Sequence, residues 1–544
     1  MTFTVWCPDL RRVRVQVDGI VHDMAPGERS GWWSADVDAV HGTDYAFLLG
    51  DDDTPLPDPR STWQPDGVHA ASRTYDHGIF AWTDEAWPGR ALARSVVYEL
   101  HIGTFTAAGT FDAAIERLDH LVYLGIDLVE VLPVNSFDGP HGWGYDGVVW
   151  GAVHEPYGGP DGFKRFVDAC HARGLGVLLD VVYNHLGPSG AYLDRFGPYF
   201  AGENDWGPGL NLDGPGSDDV RRYVFDNAMT WFQHFHVDGL RLDAVHALVD
   251  KRALPILEEL SAETARMSAT LGRPLTLIAE SDANDPRTVT PCVDRGLGMD
   301  AQWSDDLHHA LHVRLTGETD GYYADFAAPG ALAKTLRGAF FHDGTWSSFR
   351  ERTHGRPVDT AALPGTSFLA YLQNHDQIGN RATGDRISST VSPGLLACGA
   401  AIVLLGPYTP MLFMGEEWAA STPWQFFASF PDPELAEAVR TGRRREFGRH
   451  GWGESEVPDP MDVATFQRSK LQWSELDDPA HADILELHRS LIALRREHPE
   501  LSDPSLTDFR VEVADDDSWL VMHRGRFQVR VDFAAGAIDV TSTD

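Results

Sequence analysis

The sequence predicts an α/β protein built on an eight-stranded parallel barrel, with a β-sandwich before it and a small β-domain after it. Three observations carry this. Eight short apolar stretches between Val96 and Glu417 are mostly separated by segments of helical period. The residues before about Pro65 and after Val511 alternate with period two instead. Several of the eight stretches end in carboxylates, at Asp180, Asp243, Glu280 and Asp376. That is the end at which a (β/α)8 TIM barrel carries its active site.

Taken in order, FTVW, VRVQVDG, WWSADV and DYAFLLG read as strands of an immunoglobulin-like sandwich over residues 1–90, similar to a glucan-binding module. Its Trp6, Trp32, Trp33 and Trp63 suit either sugar rings or the sandwich core. Pro57–Gly67 is a turn-rich loop leading out. The barrel is expected over residues 91–500. Its strands are VVYELHIGTF, DLVEVLPV, GVLLDVVYNH, GLRLDAV, TLIAES, DAQWSD, FLAYLQNHD and IVLLGPYTPMLFMGEE. Between the first two, FDAAIERLDHLVYLGI places Ile115, Leu118 and Val122 at helical spacing, with Thr110 as N-cap. A helix over 162–173 buries Phe163, Phe166, Val167 and Cys170, and others are expected near 218–235 and 254–269. A late helix over 483–497 carries Ile484, Leu487, Leu491 and Leu494 on one face. VEV, WLVMH and FQVRVDF form the C-terminal β-domain, 501–544.

Composition narrows the function. Asp and Glu total 81 against 44 Lys and Arg, a net charge of −37, which argues against nucleic acid or an anionic membrane as partner. No apolar run reaches the roughly 18 residues of a membrane span. The first residues read as a strand rather than a secretion signal. Cys7, Cys170, Cys292 and Cys398 form no CxxC pair, so reduced thiols and a cytoplasmic location are expected. Asp180, Asn184 and His185 offer ligands that suit calcium. Nothing is spaced for a catalytic zinc, and neither a metal nor an organic cofactor is expected.

Arg241 and Asp243 lie two apart and share one face of a buried strand, which is costly unless paired or functional. Two carboxylates flanking a sugar bond are the equipment of a glycosidase, and a separation of about 5–5.5 Å makes it a retaining one. Asp243 suits the nucleophile, kept ionised by Arg241. Glu280 follows the apolar LTLIA run, a setting that raises a general acid's pKa.

DVVYNH, GLRLDAVH, the Glu280 stretch and NHD resemble the four sequence regions of the α-amylase family. The resemblance implies a catalytic set of Asp243 as nucleophile, Glu280 as acid/base and Asp376 straining the sugar. It gives Arg241, His185 and His375 places around the reacting ring, and makes Tyr145 of GYD its stacking platform. ESDANDPR, SDDLHHAL and NHDQIGNR are most similar to the trehalose-releasing members. They imply that Asp305, Asp306, His308 and His309, and then His375, Gln377 and Asn380, face the substrate, with His246 nearby. The expected substrate is maltooligosyl-trehalose, supplied by a synthase acting beforehand. A glucan branching or debranching activity, or a non-catalytic glucan-binding protein, are the alternatives. FFASFPDPE departs from the family's aromatic-acidic loop after strand eight, whereas GRRREF fits it.

Overall fold

The computed structural model describes residues 1–448 and 457–543. A closed parallel barrel stands at its centre. Its strands, one to eight, are Val97–Leu100, Leu128–Val131, Gly176–Val181, Gly239–Leu242, Thr276–Ala279, Ala301–Trp303, Phe368–Tyr371 and Thr409–Phe413. All eight lie within the predicted stretches. They are short and fully buried, as strands covered on both faces must be. Val97, Leu128, Leu178, Ile278, Ala301, Leu369 and Met411 pack together inside the barrel. Polar side chains two residues further along replace this filling toward the C-terminal mouth.

One helical reading and one strand reading need correction. The segment after strand one is not one helix but two, Phe111–Ile115 and Leu118–Leu124. Thr110 does cap the first, accepting from the Ala113 N–H at 3.3 Å. The break rotates the second helix, so Phe111, Ala114, Leu118, Leu121 and Leu124 face inward while Val122 is exposed. The last predicted strand was drawn too long: IVLL belongs to the helix Pro393–Leu405, and only Thr409–Phe413 is strand. That helix is apolar all round because it is covered twice. Helix Pro479–Glu497 packs on one side and the C-terminal sheet on the other. This sheet is a four-stranded meander, Arg510–Val513, Trp519–Arg524, Phe527–Asp532 and Ala537–Ser542; the last strand escaped the sequence reading.

The N-terminal strands form one sheet of three and one of four. Its tryptophans face protein. Trp6 packs edge-on against Tyr199, Trp32 donates to Asp219 at 2.9 Å, Trp33 to the Cys7 carbonyl at 3.1 Å and Trp63 to Glu155 at 2.9 Å. The connection to the barrel is fastened at Asp238, a fully buried carboxylate just before strand four. It accepts from Trp87 Nε1 and Arg273 at 2.8 Å, from the Val177 N–H at 2.9 Å and from His171 at 3.0 Å. Asp238→Ala strands these donors in the interior and should cost about 3–5 kcal/mol. A urea-unfolding midpoint equal to the parent's would contradict this.

Candidate active site

Strand register assembles the site. Asp180 of strand three pairs with Arg241 of strand four, and both point into the barrel. The Arg241 side chain is entirely buried. Its Nη1 donates to Asp180 at 2.8 and 3.0 Å and to Asp243 Oδ1 at 2.8 Å, and Nη2 lies 3.9 Å from Glu280 Oε2. The guanidinium carbon sits 4.2 Å from the centre of the Trp303 ring. A buried cation is tolerable only with such partners.

Both oxygens of Asp243 are occupied: Oδ1 by Arg241, and Oδ2 by the Asn184 amide at 2.9 Å. The next residue, Ala244, has a left-handed backbone, φ 40° and ψ 52°, a sparsely populated conformation for a residue with a Cβ. It aims the Ala244 N–H at Glu280 Oε2, 2.6 Å away. Glu280 is only 16% exposed. Burial, reinforced by the charges of Asp243, Asp305 and Asp376, holds its carboxyl well above the usual range despite Arg241. It therefore carries a proton near neutrality, which suits it to donate one.

A second chain of contacts starts from Glu99 in strand one. Glu99 accepts from the His375 N–H at 3.0 Å and from Nδ1 at 2.5 Å. His375 Nε2 donates to the Tyr145 hydroxyl at 2.8 Å, and that hydroxyl donates to Asp180 Oδ2 at 2.5 Å. Burial alone would lower the His375 pKa, but Glu99 and Asp376 outweigh it and hold it at about 9. Asp376 Oδ1 lies 3.6 Å from His375 Nε2, and its side chain is 42% exposed toward the cleft. The Tyr145 and His375 rings are stacked. His185 is bonded to the Tyr145 carbonyl at 3.0 Å, and its ring faces the half-exposed Trp206, which also meets the exposed His246.

Asp376 opens onto a cleft of about 830 Å³ that also holds Asp305, His309, Gln377 and Asn380. Asp305 accepts from Tyr371 and Gln377. Asp306 and His308 do not face the substrate side. They start the helix Asp305–Thr316, where successive residues point about 100° apart. Asp306 turns inward to accept from Asn284 and from the Phe341 and His342 N–H groups, each at 2.8 Å. His308 is 2% exposed and spans the Leu372 carbonyl and the Tyr323 hydroxyl. Asp180, Asn184 and His185 do not converge as a cation site either. The first serves Arg241, the second Asp243, and the third is bonded to the second and to Tyr145. Sequence reasoning passed over Glu99, Trp303, Tyr322, Phe349 and Arg381. Glu99 in YEL carried the same signal as Arg241, a charge within an apolar strand.

The raised His375 pKa has a stability consequence. The pairing with Glu99 contributes fully below the unfolded value near 6.5 and is lost as pH rises through about 9. Glu99→Gln should lower the His375 pKa and remove this alkaline loss of stability. Titration of the His375 ring by NMR checks it, and a value still near 9 would contradict the assignment.

A family model described as "Alpha amylase, catalytic domain" matches residues 73–206. Over 537 residues the chain is 56% identical to a malto-oligosyltrehalose trehalohydrolase of Mycobacterium tuberculosis, covering 98% of this chain and 92% of the relative. It is 42% identical over 502 residues to the Saccharolobus solfataricus protein of that name, covering 92% and 85%. A Salmonella typhimurium crystal structure bearing an alpha-amylase designation superposes with a TM-score of 0.90 at 37% identity, covering 98% of this chain and 91% of the other. With strands, mouth and full-length likeness in agreement, the chain belongs to the malto-oligosyltrehalose trehalohydrolases of the α-amylase family of glycoside hydrolases.

Proposed function

We propose that the protein hydrolyses the α-1,4-glucosidic bond next to the terminal trehalose of maltooligosyl-trehalose, releasing trehalose and a maltooligosaccharide. The observation that carries the reading is one buried guanidinium held between two unlike carboxyl groups at the barrel mouth. Asp243 has both oxygens fixed by hydrogen bonds, while the environment of Glu280 keeps its proton. Their division of labour follows from that asymmetry. Asp243 attacks the anomeric carbon as Glu280 protonates the departing oxygen. Glu280, now ionised, takes a proton from water, which releases the sugar with retention. Asp376, nearest the cleft, holds the distorted ring through its hydroxyls, and Tyr145 stacks beneath it with charged His375 at hand.

The aromatic and polar walls around Tyr322, Phe349 and Arg381 suit a sugar next to Asp376. In the reaction sequence, an enzyme that converts the reducing end of a maltooligosaccharide into a trehalose unit must act first. Three buried free thiols, Cys7, Cys170 and Cys398, favour a reducing, cytoplasmic setting.

The product assay uses maltopentaosyl-trehalose beside maltoheptaose and glycogen. Free trehalose should appear from the first with little action on the others; action on glycogen without trehalose would favour a branching or debranching activity. Asp243→Asn should lower kcat by on the order of 10⁴-fold or more while the fold remains. Because Glu280 must be protonated to start, kcat/KM should fall as pH rises above neutrality. Asp305→Asn removes a charge that raises Glu280, so this alkaline limb should move to lower pH. An unmoved limb would separate Glu280 from the acid role.

A further inference from the structure

The far end of the barrel holds a cavity with no part in the reaction. It measures about 410 Å³ and opens beside the N-terminal ends of strands one and two. Arg90, Arg94, Arg495 and Arg496 line it, and Asp127 is the one carboxylate among its lining residues. Four cations against one acid is unusual in a chain of net charge −37. Arg496 donates to Asp127 at 3.0 Å, and Arg90 lies 3.7 Å from the same oxygen. That carboxylate is thus already shared. Among the described residues, neither Arg94 nor Arg495 has a carboxylate within 4.0 Å.

Arg495 makes the case stronger. It is 2% exposed, and its terminal nitrogens donate only to carbonyls, those of Leu404, Gly406, Leu501 and Tyr408. Its Nε is buried without a partner, and so is the Nε of Arg90. Behind it Arg524, 3% exposed, donates to the same Leu501 carbonyl. The hydrogen bonds of these two buried guanidinium groups thus go to neutral carbonyls, and burial pushes both pKa values down, only partly offset by the charges of Asp127 on Arg495 and Asp503 on Arg524. Such an arrangement is costly without a counter-ion. Arg94, exposed at the rim, is held at φ 65°, in the left-handed region.

We infer that this cavity binds a phosphate-class oxyanion, gripped by Arg90, Arg94 and Arg496 with Arg495 behind them. Guanidinium forks match phosphate oxygens in pairs. The volume leaves room for a sugar ring beside the phosphate, so a phosphorylated sugar and free phosphate share the required chemistry.

The test is calorimetric titration of the full chain with inorganic phosphate and, separately, with glucose 6-phosphate, ionic strength being held with sodium chloride. The expected result is saturable binding of one anion per chain; the tighter probe identifies the source. Arg94→Gly removes the guanidinium while suiting the left-handed backbone, and should weaken binding about tenfold or more. Arg94→Glu should abolish it, and trehalose release without added phosphate should be unchanged in both. No saturable binding of either probe, or variants that bind like the parent, would overturn the proposal.

Discussion

The buried charge of Arg241 constrains everything around the barrel mouth. A guanidinium removed from water costs several kcal/mol unless it is surrounded by partners. Asp180, Asp243, Glu280, Tyr145 and Trp303 supply them from five different places in the chain. The three carboxyl partners are fixed in turn: Asp180 by the Tyr145 hydroxyl, Asp243 by Asn184, Glu280 by the N–H of a strained Ala244. The geometry needed for chemistry is thus the same geometry that makes the charge tolerable. Removing any one partner disturbs both, and for that reason preorganisation here is a property of the network rather than of single residues.

The barrel was legible because its strands are short, apolar and punctuated, and because their ends carry charge. Asp243, Glu280 and Asp376 stood out for that reason, and the structure brings all three to one mouth. Less was legible wherever the decisive partner is distant in sequence. Nothing local to DDLHH tells Asp305, which meets the cleft, from Asp306, which caps the Phe341–His342 backbone. Glu99 and His375 are separated by most of the barrel, so their pairing needed closure of the strands to be seen. The two-part helix after strand one failed for a different reason. Helical period survives a short break, but the phase does not, and the buried face turned from Val122 to Leu121.

Charge is divided along the barrel axis. At the C-terminal mouth carboxyl groups surround Arg241, with Arg350 and Arg381 on the cleft wall, whereas the cavity at the opposite end gathers four arginines around Asp127. The strand interior between them is filled by Leu128, Leu178, Ile278 and Leu369. That apolar layer keeps the two sets out of contact, although a low-dielectric filling does not screen one from the other.

The helix Pro393–Leu405 is apolar on all sides because the C-terminal sheet covers the face that the late helix leaves bare. Its covering strands, Phe527–Asp532 and Ala537–Ser542, are made long after it. During synthesis, therefore, that apolar face stays without its cover until those strands emerge. Such a waiting period invites aggregation and chaperone capture. The small terminal sheet thus closes the last bare side of this helix, and a chain shortened by those two strands should keep that side exposed.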